Sequence, residues 1–377
     1  MGDARRLYYL DNLKIALTIL VIAHHVGQAY GPTGGAWPIQ ETARAAILGP
    51  FFTVNRSFFM SLFFLISGYF MVASYDHHGP GRFLKGRLLR LGVPLLAFFF
   101  LIIPLQQYLC HLYKGDLGPL SFRQYYTTHY FAPVNAEVNF AHLWYVEHLL
   151  VFALCYHVLR RTAWKRPKEG QVSTKPPGHA AIIVFALVLA FTSAVVRKWY
   201  PIDKWVGFLG FIQVAFADVP RDLSCFVLGA VAYRRQWLVG LSNRMGAIWL
   251  SVGLTLAVLW YLFSLGHLWS ALHISRKVLG TIYPIWESFL CCGMCLGLLV
   301  LFREKLNFQG HWGRLMAENQ YAAYLFHVPV VVLVQVGVAG AALSPFTKFA
   351  LVTAVSVPLT FLLSAAIRTP AFVKKIL

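Results

Sequence analysis

The stretch LDNLKIALTILVIAHHVGQAY, Leu10 to Tyr30, is apolar along most of its length yet carries Asp11, Lys14, His24 and His25. Lys14 and His25 stand eleven positions apart. At about 100° per residue that is three helical turns plus roughly 20°, so both point the same way, their Cα atoms about 16 Å apart along one face. In a helix that crosses a bilayer, a lysine costs about 2.5–3.5 kcal/mol on insertion scales and is tolerated facing protein or water. The face shared by Lys14 and His25 is therefore the first candidate for a working site, and reading this stretch as a membrane helix decides the fold class.

The rest of the composition agrees. Hydrophobic residues make up 58% of the 377 residues and charged residues only 12%, with a mean hydropathy of +0.61. That lies beyond an ordinary globular domain and points to an all-α, polytopic transmembrane bundle, a single membrane domain. A chain of this length holds about ten spans of roughly 20 residues, leaving no room for a large appended soluble domain. No signal peptide is expected, because the first apolar stretch runs on through His25 without a small-residue cleavage site. The net charge of +19 is clustered between apolar segments, which fits positive-inside topology among membrane lipid and argues against nucleic acid as a partner. The six cysteines read as buried small hydrophobes. Cys292 and Cys295 have C-x-x-C spacing but no second Cys/His pair beside them, so no metal site is expected.

Segment one runs from about Tyr8 to Ala29, followed by a loop with Gly31, Pro32, Gly34, Gly35 and Pro38. Segment two spans about Phe51 to Ser74, with Ser67 and Gly68 allowing close helix contact. The basic run Arg82, Lys85, Arg87 and Arg90 precedes segment three, about Leu91 to Leu109. Segment four, about His142 to Leu159, leads into Arg160, Arg161, Lys165, Arg166, Lys168 and Lys175, and segment five covers about Ala180 to Val196. Tyr200 to Pro220 is apolar but broken by Pro201, Asp203, Lys204 and Asp218, which suits a re-entrant or interfacial piece. Segment six runs from near Pro220 to Arg234, and segments seven to ten are roughly Met245 to Leu265, Val278 to Phe302, Leu315 to Val338 and Pro345 to Ile367. Ten spans place both termini on one side. With that side cytoplasmic, the basic clusters around Arg87, Lys165, Arg235, Arg303 and Lys374 all fall there.

Depth then groups the polar residues. Lys14 lies in the cytoplasmic third and His25 near the outer end. Glu147, Asn55, Arg56, Arg221 and Asp222 fall at the level of His25, given a rise of about 1.5 Å per residue. A histidine and a carboxylate at one depth suit general base catalysis, with the imidazole taking a hydroxyl proton and Glu147 orienting it. A polar cluster that merely bonds helices together is the alternative. Arg87 and Arg90, one turn apart, either anchor the helix end or clamp phosphates of a cytoplasmic donor. Tyr321, Tyr324 and His327, at i, i+3 and i+6, form either a packed aromatic stripe or a ligand-lining face.

At these residues the chain resembles the integral-membrane acyltransferase 3 family, O-acyltransferases that modify cell-surface glycans and related acceptors. The resemblance rests on YLDNLKIALTILVIAHH at Tyr9 to His25, FFLISGYF at Phe63 to Phe70, RFLKGRLLRLGVP at Arg82 to Pro94, LWYVEHLLVF from Leu143 and YAAYLFHVPV from Tyr321. These blocks occur in the family's order and span nearly the whole chain. The resemblance implies transfer of an acyl group, usually from acetyl-CoA, to a hydroxyl of an outer-leaflet carbohydrate, in the cell (inner) membrane and with no permanently bound cofactor. Separate glycan-assembly proteins would be partners. His25 matches the family's catalytic histidine. Lys14 stands where arginine is common, which keeps the charge but loses the planar fork. Donor-binding residues would be Lys14, Arg82, Arg87 and Arg90. Asp11, Asn55, Arg56, Ser67, Trp144, Arg221, Asp222, Tyr324 and His327 are candidate lining groups. A secondary transporter of a small anion or acylated product, using the same polar groups as a relay, is the alternative reading.

Overall fold

The computed structural model describes residues 7–32, 37–131, 140–162, 175–208, 212–266, 268–273 and 275–377. Gly34, Gly35, Lys165, Arg166 and Lys168 lie outside the described residues. The principal helices are α1 (Tyr8–Gln28), α2 (Leu48–Arg56), α3 (Phe59–His78), α4 (Pro80–Lys114), α5 (Trp144–Thr162), α6 (His179–Val196), α7 (Val219–Arg234), α8 (Asn243–Leu265), α9 (Arg276–Lys305), α10 (His311–Val338) and α11 (Pro345–Ile367). Three begin at serines whose side chains accept from a backbone amide of the first turn: Ser242 from Met245, Ser275 from Val278 and Ser344 from Thr347.

Among the described residues nine helices are long and apolar enough to cross a membrane. The sixth expected segment is the exception. It folds as α7, whose 16 residues rise only about 24 Å against a hydrocarbon core of about 30 Å. Segment two is also broken, into α2 and α3. Phe58 takes a φ of −141° there, so α2 ends at Arg56 and presents that side chain at its terminus. Segment three begins earlier than its apolar pattern suggests. Arg82, Lys85, Arg87 and Arg90 are already helical, and α4 carries two π turns, Leu88–Gly92 and Phe98–Ile102. The first π turn begins just after Arg87 and contains Arg90, so the two are not simply one α-turn apart. Among the described residues of Tyr200 to Pro220 there is no helix before Val219; they form a short antiparallel pair, β1 (Val206–Phe208) on β2 (Ile212–Val214).

Helix α1 stands inside the bundle, packed against α2, α3, α9, α10 and α11. By contrast α8 leaves Leu254, Val258, Leu259 and Leu262 exposed, an apolar face suited to lipid tails. Contacts between distant segments gather the basic loops at one end of the bundle. Asn12 donates to Leu306 O and Phe308 O at 2.7 and 2.8 Å, Asp76 pairs with both Arg160 and Arg234, Tyr321 Oη donates to Arg90 O, and Arg303 donates to Leu238 O and Leu241 O. His25, near the other terminus of α1, therefore lies toward the opposite end. Of the six cysteines, five are buried; Cys155 on α5 is exposed, against expectation, because its helix face is not covered by another helix.

The closest helix crossing is α3 against α7. A Cβ on Gly68 would meet the carbonyl oxygen of Phe226, and one on Gly229 would meet that of Leu65, so backbone lies on backbone in both directions. Gly86, with nothing within 4 Å of its Cβ position, is the internal control. Gly68→Ala and Gly229→Ala should each destabilise the bundle by about 1–3 kcal/mol through overpacking. Gly86→Ala should be neutral or slightly stabilising. Unfolding midpoints of the three variants in detergent check this.

Candidate active site

A cavity of about 550 Å³ lies between α1, α2, α5 and α7, with the β-hairpin segment as one wall. His24, His25 and Gln28 line it from α1, Arg56 from α2, Trp144 and His148 from α5, Trp205 and Val214 from the hairpin, and Arg221 and Asp222 from α7. His142 and Tyr324 also reach it. The cavity is thus at the end remote from the basic loops.

His25 is held by neutral groups. Its Nδ1 lies 2.7 Å from Gln28 Oε1, its ring stacks on Trp37 at 5.2 Å and 20°, and the His327 ring lies 5.1 Å away. His327 in turn lies 5.0 Å from His142. His327 Nδ1 donates to Tyr324 O at 2.6 Å, His142 Nε2 lies 2.8 Å from Leu325 O, and Tyr324 Oη donates to His142 O at 2.8 Å. The stripe Tyr321, Tyr324, His327 on α10 is therefore both packed and adjacent to the candidate base. His24, edge-on to His25 at 5.9 Å, packs among Phe51, Phe52 and Phe59.

A second group of side chains forms a buried charge network. Arg221 pairs with Glu287, with Asp218 at 3.2 Å and with Asp222 at 3.5 Å, and donates to Ser61 Oγ at 2.9 Å. Arg197 pairs with Glu287 at 2.7 Å and Asp218 at 3.6 Å; Arg56 pairs with Asp218 at 2.9 Å and with Asp203. The expected depth match of Arg56, Arg221 and Asp222 is thus a physical cluster, joined through Asp218. Asn55, buried beside Arg56, leaves its Nδ2 without a hydrogen-bond partner among the described residues.

Other expected residues fall elsewhere. Glu147 is buried and does not line the cavity; its carboxyl faces the backbone of Gln213. The partner of the His25 ring is Gln28, so the expected Glu147 to His25 bond is not formed: both residues share a depth, but Glu147 projects toward the hairpin side of α5, where Gln213 lies. Lys14 pairs with Asp11 at 3.0 Å and lies over Phe70 at 5.1 Å, one turn from where it starts rather than along the cavity. Ser67 Oγ lies 2.7 Å from Tyr145 Oη, and the Tyr145 ring packs 5.5 Å from Tyr324. Arg82 and Arg90 are exposed at the basic end, Arg87 is half-buried with its guanidinium over Phe83 at 5.2 Å, and none of the three forms an ion pair among the described residues.

The sequence reading passed over Gln28, Trp37, His142, His148, Arg197, Trp205 and Glu287. Gln28 was legible as the i+3 neighbour of His25. Arg197 was legible only as an isolated charge at a helix end, and Glu287 only as an isolated charge inside an apolar segment. Trp37 and Trp205 lie in non-helical segments whose approach to α1 and α5 no periodicity announces.

A family model described as an acyltransferase domain matches residues 7–365. Among curated proteins, glucans biosynthesis protein C of Shigella dysenteriae serotype 1 (strain Sd197) is 28% identical over 240 residues, covering 61% of this chain and 59% of that protein. Its counterpart in Escherichia coli (strain K12) is 28% identical over 241 residues with the same coverage. The match thus spans about three fifths of the length of these relatives. No solved structure matches the chain.

Removing Glu287 leaves two buried guanidiniums short of a partner. Glu287→Ala should lower stability by about 3–5 kcal/mol, whereas Asp203→Ala, at the 58% exposed end of the network, should cost less than about 1 kcal/mol. Chemical denaturation of both variants in micelles measures the difference.

Proposed function

This chain belongs to the acyltransferase 3 family, and on that premise we propose that it moves an acyl group from cytoplasmic acyl-CoA to a hydroxyl of an extracytoplasmic carbohydrate. Acetyl is the expected acyl group and the cell (inner) membrane the expected location. The names of the relatives, which concern glucans biosynthesis, favour a glucan acceptor and separate glycan-assembly proteins as partners. The single observation that carries the reading is the placement of His25: an imidazole in the wall of a cavity at the end of the bundle away from the basic loops, surrounded by neutral groups.

The acceptor hydroxyl enters this cavity. His25 takes its proton as the oxygen attacks the thioester carbonyl, the new C–O bond forms and the C–S bond breaks. The proton then passes to the departing sulfur, so an ester and a free thiol leave. The two guanidiniums that line the cavity, Arg56 and Arg221, and Arg197 behind them already face four carboxylates. That arrangement suits a neutral polyol better than an anionic acceptor.

The donor's phosphates would sit at the other end. Arg82, Arg87 and Arg90 face no carboxylate there among the described residues, and guanidinium forks suit phosphate oxygens. Ser67, Tyr145, Tyr324 and His327 form a continuous run of side-chain contacts toward His25. A long, thin thiol arm is the part of a coenzyme A donor that would follow such a run. Lys14, engaged by Asp11, then balances charge within α1 rather than contacting the donor.

Reconstituted protein given labelled acyl-CoA and a glucan should yield labelled glucan and free CoA; a transporter would yield neither. His25→Ala should lower that rate by at least about 10²- to 10⁴-fold, and normal acylation by this variant sinks the base assignment. The double change Arg87→Gln, Arg90→Gln should raise KM for acyl-CoA several-fold while leaving the glucan KM unmoved, as initial-rate kinetics would show.

A further inference from the structure

A base at His25 works only if its free ring nitrogen carries the lone pair. Neutral imidazole accepts at one nitrogen and donates at the other, and the bond made by one decides the state of the other. Nδ1 of His25 lies 2.7 Å from the Oε1 of Gln28, an oxygen that can only accept. With the Gln28 amide in this orientation the proton is on Nδ1. Nε2, which has no hydrogen-bond partner among the described residues, keeps the lone pair.

A second contact fixes the plane of the ring. Trp37 stacks on it at 20°, Trp37 Nε1 donates to Gln335 Oε1 at 2.8 Å, and Gln335 Nε2 donates to Val26 O at 3.1 Å. Gln335 is fully buried, so the chain of bonds runs from the ring's stacking partner back to the main chain of α1 one residue past His25. The other titratable groups facing His25 are His24, His327 and, across the cavity, His142. His327 spends its Nδ1 hydrogen on Tyr324 O, so it has none there to offer the His25 ring.

We propose that Gln28 is the positioning residue of His25, selecting the Nδ1–H tautomer, with Trp37 and Gln335 holding the ring plane. This rests on the reading of His25 as the general base. An amide orients the imidazole without placing another charge beside a cavity whose ion pairs are already assembled. It stabilises an imidazolium less than a carboxylate would, which suits a base that hands its proton on to the departing sulfur within the same event.

Gln28→Leu removes the acceptor at nearly constant volume, and Gln28→Glu keeps an oxygen at the same reach. The leucine variant should lose about 10- to 100-fold in kcat, as small misplacements of reacting groups do, with KM for acyl-CoA and glucan unchanged. The glutamate variant should recover most of it. Nitrogen-15 NMR of histidine-labelled protein, with the His25 resonances identified by their loss in His25→Ala, should show Nδ1–H in the unsubstituted protein and a share of Nε2–H in Gln28→Leu. Undiminished kcat in Gln28→Leu, or an Nε2–H ring in the unsubstituted protein, overturns the proposal. Should the leucine variant not fold, Gln28→Asn, one methylene short of reach, takes its place with the same expected loss. Full activity of His25→Ala is a separate failure, that of the base itself.

Discussion

The guanidinium of Arg221, only 3% exposed, is the constraint on which the cavity end of the bundle depends. A charge taken out of water costs several kcal/mol unless it is paired and its remaining hydrogens are satisfied. Here Glu287 comes from α9, Asp218 and Asp222 from the start of α7, and Ser61 from α3. Satisfying one side chain therefore fixes three helices against one another. Arg197, following α6, and Arg56, ending α2, extend the same requirement to two more elements through Glu287 and Asp218. The short α7 can sit at this depth because the reciprocal approach of Gly68 and Gly229 lets it lie flush on α3.

That arrangement has a consequence for the cavity next to it. Its cations and anions are committed to each other, so the groups left for chemistry are the neutral ones: the histidines, Gln28, and the tryptophans of α5 and the hairpin. The basic end is built the other way. Asp76 and Glu304 engage Arg160, Arg234 and Arg303, while Arg82, Arg87 and Arg90 face no carboxylate among the described residues. The bundle thus has one compensated end and one end with open cationic groups, joined through the Tyr145, Tyr324 and His327 contacts.

Much of this was legible in the chain. The eleven-residue spacing of Lys14 and His25 singled out the helix that the structure sets inside the bundle with His25 on a cavity wall, and depth counting brought Arg56 and Arg221 to one level, where Asp218 joins them. Depth is only one coordinate, however. Glu147 shares the level of His25 but faces another direction around α5, which no count along a single helix reveals. Lys14 shares a face with His25, yet Asp11 one turn away satisfies it locally, a cheaper outcome than reaching along the helix. Arg197 and Glu287 were invisible as a pair because their contact joins helices far apart in sequence. The break between α2 and α3 was hidden by an apolar pattern that continues through it, whereas the bounds of α7 were legible from Pro220 and Arg234.

The proposed transfer from a thioester must favour a sugar hydroxyl over water, although both can attack the same carbonyl. The walls around His25 address this by their composition. Trp37 covers one face of the imidazole, His24 and the Phe51, Phe52 and Phe59 rings close the α2 side, and Trp144 packs on Trp205 at 5.7 Å where α5 meets the hairpin. Aromatic surfaces of this kind offer few hydrogen bonds to an isolated water, but they can lie against the apolar faces of a sugar ring. The proposed base is thus set where an acceptor gains contact and a lone water does not. Selectivity would then come from which nucleophile the cavity holds near the nitrogen lone pair, and the base need not be unusually strong to act on it.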